Sequence, residues 1–250
     1  MHRFRFDALN SSAAGDLVRL EKEESSHLFR TLRAAPGDRC QLMDGCGRFA
    51  LAEVQEGRML KILSIETATP PAPPLLHMYI APPRRQKMDQ ILRQATEIGV
   101  WRIVPMLCER SVSLPDSDSV NGRWKEVLFE ACKQSGNPFL PQISEPMKFN
   151  AALADAVRNC PVRYFGSVKE REAAVCLTQP DSAAWLVGPE GGFTEAEEAA
   201  MLQQGIEPLH FGNWTLRVET AAVCGLCLIH KKTAGIAPCG DGGKSSSQII

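Results

Sequence analysis

The sequence lacks a long apolar run, a surplus of either charge and a metal-ligand spacing, and each lack narrows what the chain can be. Its longest greasy stretch, Ala221 to Ile229, is nine residues, against the roughly 20 needed to span a bilayer. The N-terminus, MHRFRFDALN, offers no apolar core for a signal peptide and alternates like a strand. No membrane partner and a cytoplasmic location are therefore expected. Lys plus Arg number 28 and Asp plus Glu 29, a net charge of −1, which excludes a protein held to nucleic acid by bulk cationic charge and leaves only local basic patches. Nine cysteines, an odd number scattered from Cys40 to Cys239, read as reduced thiols in a chain large enough to build a core without disulfide staples. Cys224, Cys227 and His230 share one helical face, but no second pair of ligand spacing accompanies them and their segment is apolar, so no metal is expected.

What is present divides at Thr69 to Pro74, TPPAPP, where consecutive prolines bar both helix and central strand. Upstream, over 1–70, the segments Cys40 to Met43, Arg48 to Val54 and Met59 to Ile65 alternate between turn signals, which predicts a small antiparallel barrel or sandwich. One helical stretch, Glu23 to Arg33, interrupts it. Downstream, over 71–235, strand-like Leu75 to Ala81, Ile103 to Leu107, Val162 to Gly166, Ala184 to Val187 and Pro208 to Phe211 alternate with helical patterns. Those helices are a stripe from Met88 to Ile98, another through Trp124 to Ala131, and Asn150 to Arg158, Glu170 to Leu177, Glu195 to Gln204 and Val218 to His230. The order predicts an α/β domain with a mainly parallel sheet. The end, 236–250, is too polar to pack and is expected to be disordered.

Charge is unevenly spread, with a net of 0 over 1–70, +2 over 71–135 and −3 over 136–250. Arg3, Arg5, Arg30, Arg33 and Arg39 crowd the first part, and Arg84, Arg85, Lys87 and Arg93 fall within ten residues. Such clusters are candidate phosphate contacts, or ordinary solvated charge.

Two loops carry the chemistry. In LVGPEGGFTEAEEAA, Leu186 to Ala200, a buried strand enters Gly188-Pro189-Glu190-Gly191-Gly192, and Thr194 with Glu197 forms a capping box that starts a helix. Glycines at a strand's carboxyl end let a ligand reach the backbone, and open α/β sheets bind ligands at that edge. The spacing is neither a dinucleotide fingerprint nor a P-loop. The second loop opens LHFGNWTLRVETAAVCGLCLIH, Leu209 to His230, and has the same placement, with Gly212 ending a strand and Arg217, Glu219 and Thr220 at the mouth of an apolar helix. Arg217 and Glu219 are either functional or an ion pair serving only the fold.

Taken with HLFRTLRAAPGD (His27 to Asp38), ATEIGVWRIVPMLCERSV (Ala95 to Val112) and RWKEVLFEACKQSGNPFLPQI (Arg123 to Ile143), the loop motifs GPEGGFTEAE and LRVETA resemble the SPOUT class of methyltransferases. More closely, the chain resembles the 16S ribosomal RNA uracil-N3 methyltransferase family, over about residues 2–232. The resemblance implies a PUA-like RNA-binding β-barrel ahead of a SPOUT domain with a C-terminal trefoil knot, a homodimer, and S-adenosyl-L-methionine as cofactor. It implies 16S rRNA or the small ribosomal subunit as partner, with N3 of one uridine as the target, uridine 1498 in reference ribosomal numbering. Positions matching the cofactor motifs are Leu186, Gly188, Glu190, Gly191, Gly192, Leu209, Phe211, Gly212, Leu216, Arg217 and Thr220. Arg110 and Gln134, in the ERSV and QSG segments, join the arginine clusters as implied RNA contacts. The chain departs from the family pattern at Trp214 (a basic residue is expected), Thr215 (a branched aliphatic), Val218 (Thr) and Asn137 (Arg).

The implied chemistry orients an activated methyl group against uracil N3 and removes the N3 proton. Arg217 is the candidate for stabilising negative charge on the flanking carbonyl oxygens. Glu219 or Glu190 is the candidate proton acceptor, or else holds Arg217 in place. Two other readings share these motifs: an RNA-binding or ribosome-assembly factor that has lost catalysis, and a SPOUT methyltransferase of another RNA position.

Overall fold

The computed structural model describes residues 1–113, 115, 119–169 and 180–233. In the first part, β1 (Arg3–Arg5), β2 (Leu17–Val18), β3 (Arg39–Met43), β4 (Arg48–Gln55) and β5 (Met59–Thr67) form one sheet in the order β1-β3-β4-β5-β2. Alternation drives it: along β4, Ala50, Ala52 and Val54 are buried and their neighbours are not. The sheet wraps a core of Phe4, Leu9, Leu28, Leu42, Leu60 and Ile62. It differs from the antiparallel expectation at one pair, since β1 runs parallel to β3. A long excursion through β2 and α1 (Lys22–Ser26) separates those two strands and permits the parallel crossover. The helix expected to reach Arg33 ends in a π-helical turn, His27–Thr31, because Arg33 adopts a left-handed φ of 56° that no helix continues.

Past the prolines lies the larger sheet. Its strands are β6 (Leu75–Ile80), β7 (Val100–Leu107), β8 (Gln142–Ile143), β9 (Met147–Lys148), β10 (Val162–Gly166), β11 (Ser182–Val187) and β12 (Glu207–Leu209). The order is β12-β10-β11-β6-β7-β8, with β9 also on β7, and every pair is parallel. Helices cover both faces, as a parallel sheet requires. On one side α2 (Arg85–Ile98), α3 (Lys125–Ser135) and α6 (Val218–Thr233) bury Met88, Ile91, Leu128, Ala222 and Leu226 against Met78, Ile103, Trp185 and Val187. On the other, α4 (Phe149–Asn159) and α5 (Glu195–Gln203) bury Ala152, Ala156 and Met201 against Tyr79, Val104, Phe165 and Leu186. β11 is buried along its whole length and alternates between the two cores. The helical stretch expected over Glu170 to Leu177 and the tail 236–250 lie outside the described residues.

Two details position the site. The chain runs outward from β6 to β8, then returns to the other side of β6, so β6 and β11 flank the point where strand order reverses. α6 also packs closely on β11, because a Cβ at Gly225 would stand 2.1 Å from the Trp185 ring, a separation no side chain permits.

The two parts dock through the turn after α3. Arg3 Nη1 donates to the carbonyl oxygens of Lys133 at 2.8 Å and Gln134 at 3.3 Å, and Lys133 Nζ reaches Glu24 at 2.7 Å. Main-chain bonds continue the joint, from Gly47 N to Pro138 O at 2.9 Å and from Leu140 N to Gly45 O at 2.8 Å. No helix among the described residues is long and apolar enough to cross a membrane.

Candidate active site

A cavity of about 590 Å³ opens at the carboxyl ends of β10, β11 and β12, the sheet edge at which α/β folds take their ligands, next to the strand-order reversal between β6 and β11. Its first wall is the glycine loop after β11. Gly192 holds a φ of 71° and donates its amide to Pro189 O at 2.8 Å, a turn that a residue with a Cβ adopts only with strain. The loop is anchored below by the capping box of α5: Thr194 N donates to Glu197 Oε2 at 2.9 Å and Glu197 N to Thr194 Oγ1 at 3.2 Å. Glu197 Oε1 accepts the Glu109 amide at 2.9 Å, which ties the loop to the segment after β7. From that segment Arg110 lies across the loop, its Nη1 donating to Gly191 O at 3.0 Å and Phe193 O at 3.4 Å.

The second wall is His210 to Arg217, entered through Gly212 at a φ of 113°. Trp214 stands at its rim, 84% exposed. The third wall, Gly166 to Val168 after β10, carries no motif and was not expected from the sequence. It is joined to the second by Ser167 N donating to Leu209 O at 3.1 Å. The only available signal was its position after a strand parallel to the two motif-bearing ones. The floor is apolar: Trp185 packs edge-on to Phe211 with centroids 5.7 Å apart, and Val187, Val218 and Ala221 complete it.

Charge gathers at one side of the opening. Lys87 Nζ lies 2.6 Å from Glu190 Oε1 and 3.7 Å from Glu219 Oε2. The hydrogen bond and charge of Lys87 hold the Glu190 carboxyl below its ordinary range, with Arg84 and Arg217 adding to the effect. Glu219 Oε2 is buried and accepts no hydrogen bond.

Of the residues marked by the cofactor motifs, Gly188, Glu190, Gly191, Gly192, Phe211, Gly212, Leu216 and Arg217 line the cavity. Leu186 and Leu209 instead point into the two cores, and Thr220 is exposed outside the lining. The alternative in which Arg217 and Glu219 form an ion pair serving only the fold is not what the structure shows: among the described residues the cation on Glu219 is Lys87, which the sequence had placed in a basic patch. Arg3 and Arg5 sit at the domain joint, Arg5 bonded to Asp7 and stacked 4.8 Å over the Phe129 ring. Gln134 contributes its carbonyl to that joint, and Asn137 spans from Thr96 O to the Phe139 amide, which knits the turn to α2. Arg30, Arg33, Arg84 and Arg85 are exposed.

The described cysteines are free, and burial pushes the Cys40, Cys108 and Cys132 thiols up to about 12, which leaves them unreactive. No group of three or more His, Cys, Asp or Glu that could hold a metal ion occurs among the described residues.

A small sheet domain docked on a three-layer α/β domain, with glycine-walled ligand space at its strand ends, defines the class of two-domain RNA methyltransferases. The chain belongs to the RNA methyltransferase domain family, which matches residues 70–230, and carries the RNA methyltransferase PUA domain over 20–62. It is similar to the ribosomal RNA small subunit methyltransferase E of Aquifex aeolicus, 30% identical over 64% of this chain and 69% of that protein. The enzyme of the same name from Bacillus subtilis is 29% identical over 84% and 88%. Among solved structures, the ribosomal RNA small subunit methyltransferase E of Neisseria gonorrhoeae bound to S-adenosyl methionine superposes with a TM-score of 0.81 at 26% identity, covering 92% of this chain and 97% of that one.

Proposed function

We propose that the chain methylates N3 of one uridine in 16S ribosomal RNA, uridine 1498 in reference numbering, using S-adenosyl-L-methionine. The observation that carries the reading is the cavity, with two glycine loops at parallel strand ends, an apolar floor, and Arg217, Glu190 and Glu219 gathered at or beside its opening. The residues present fit the cofactor. Trp185, Val187 and Phe211 give the cavity an apolar floor suited to an adenine, Gly188, Gly191, Gly192 and Gly212 let the main chain close on it, and the carboxylates suit a sulfonium cation. When bound, the cofactor supplies an electrophilic methyl group, so the chain's own task is to ready the nitrogen.

Uracil N3 is a poor nucleophile while protonated. Arg217 stabilises the negative charge that grows on the flanking carbonyl oxygens as the proton leaves, and a carboxylate at the opening takes that proton. Because N3 lies on the Watson-Crick edge, the target uridine is unpaired or splayed out when it enters. The PUA-like domain with Arg30 and Arg33, together with Arg84 and Arg85, carries the RNA backbone. The trefoil knot, the homodimer with RNA crossing both subunits, and the cytoplasmic location belong to the same reading through the family resemblance.

Mass-spectrometric mapping of methylated nucleosides in small-subunit RNA, with and without the gene, tests it. The expected result is loss of 3-methyluridine at one site in the deletion strain. An unchanged map together with no calorimetric binding of S-adenosylmethionine would favour an assembly factor without catalysis, and a lost ribose methylation a different target.

A further inference from the structure

Lys87 belongs to neither loop. It sits in the first turn of α2, a turn with no acidic residue, where the helix N-terminus disfavours a cation. Arg84 and Arg85 crowd the same turn. A sequence that sets three cations there either leaves them to solvent or gives them anions from elsewhere in the fold, and Lys87 is the one so matched. Its partners come from two elements at the cavity: Glu190, 103 residues away on the glycine loop of the first wall, at 2.6 Å, and Glu219, in the first turn of α6 just past the second wall, at 3.7 Å. The two contacts are unequal. Glu190 is hydrogen-bonded to the ammonium, whereas the Glu219 oxygen facing it is buried and accepts no hydrogen bond.

We propose that Lys87 is a positioning residue that ties the glycine loop to the first turn of α6 from a third element, holds Glu190 as its bound anion and Glu219 Oε2 against its charge, and so leaves the other oxygen of Glu219 as the acceptor for the uracil N3 proton. This rests on the function proposed above. The balance is simple: the N3–H bond breaks and its proton passes to Glu219, the N3–methyl bond forms, and the sulfonium sulfur keeps the electron pair of the bond it gives up. Lys87 neither gives nor takes a proton. Glu190 is the poorer acceptor because its bonded ammonium favours the charged form. Arg84 and Arg217 are the other cations acting on Glu190.

Hydrogen exchange of the ligand-free protein reads the clamp without any turnover. The amides to follow are Gly192, bonded to Pro189 O in the first wall, and Ala221, bonded to Arg217 O in the first turn of α6. Lys87→Met should speed exchange at both by about two- to fivefold, the scale of a partly exposed ion pair, while Lys87→Arg restores protection at both. Glu190→Gln should affect Gly192 alone. Acceleration at one amide only, or at neither, in Lys87→Met overturns the clamp.

Single-turnover methylation of RNA carrying 5-fluorouridine, whose N3 proton is more acidic, reads the acceptor. Glu219→Gln should slow transfer on uridine by about 10²-fold or more and lose much less on 5-fluorouridine, whereas Glu190→Gln should show no such relief. Relief in Glu190→Gln, or equal loss on both RNAs in Glu219→Gln, overturns the assignment. Wild-type protein that methylates neither RNA sinks the proposed function instead, and the acceptor role with it, while the exchange result still judges the clamp.

Discussion

His77 in β6 shows how a single buried side chain ties stability to pH. Its ring is 9% exposed and Nδ1 has no hydrogen-bond partner, while Arg102 beside it in β7 bonds to Asp155, which also accepts from Tyr79 at 2.7 Å. Burial pushes the imidazole down to about 4, Arg102 adds to the shift and Asp155 opposes it. An unfolded histidine titrates near 6.5. Below that pH the unfolded chain binds a proton that the folded one refuses, so this contribution is complete above 6.5 and falls away as the pH drops toward 4. Between pH 7 and pH 5 the loss from this one group is about 2 kcal/mol. His77→Leu should shrink the acid-induced loss by that amount in urea unfolding at the two pH values. Equal losses in variant and parent would show that His77 does not carry the effect.

The short helix α5 has almost no apolar face to recommend it, with Met201 its one buried hydrophobic side chain. Its start is fixed by the Thr194–Glu197 box, and Glu197 lends its other oxygen to the Glu109 amide. Thr194→Ala should therefore cost about 1 kcal/mol, the usual worth of an N-cap, and Glu197→Ala more, because the Glu109 amide also loses its acceptor. Chemical denaturation of both variants gives the order directly; Thr194→Ala costing more than Glu197→Ala would contradict it. The same box was readable in the sequence because Thr194 and Glu197 lie three residues apart, as were α2 and α3, whose apolar residues line one face at helical spacing. What escaped reading lies far apart in the chain. The Lys87–Glu190 pair spans 103 residues and the Arg3 bond to Lys133 spans 130, and nothing local marks either. The wall at Gly166 to Val168 was missed for a related reason, since a strand end acquires its role only from the strands beside it.

At the scale of the whole molecule, the near-cancelled net charge of −1 resolves into arginines with two distinct duties. Arg3 is bonded into the joint between the two sheets and Arg5, although exposed, is stacked there on Phe129, whereas Arg30, Arg33, Arg84 and Arg85 are exposed on the small domain and at the start of α2. If the exposed set contacts phosphates, each contact releases counterions, and the dependence of RNA affinity on salt steepens by about 0.7–0.9 logarithmic units per contact. Replacing Arg30 and Arg33 with alanine should then flatten the salt slope by about 1 to 2 and leave both the melting temperature and cofactor affinity unchanged. Arg3→Ala should do the opposite, because it strips the carbonyl oxygens of Lys133 and Gln134 of their donor and loosens the docking of the sheets: a lower melting temperature with an unaltered slope. Filter binding across a salt series, paired with calorimetric melting of each variant, separates the two. A flattened slope in Arg3→Ala at unchanged stability would move that arginine from the joint to the RNA surface and reverse the division.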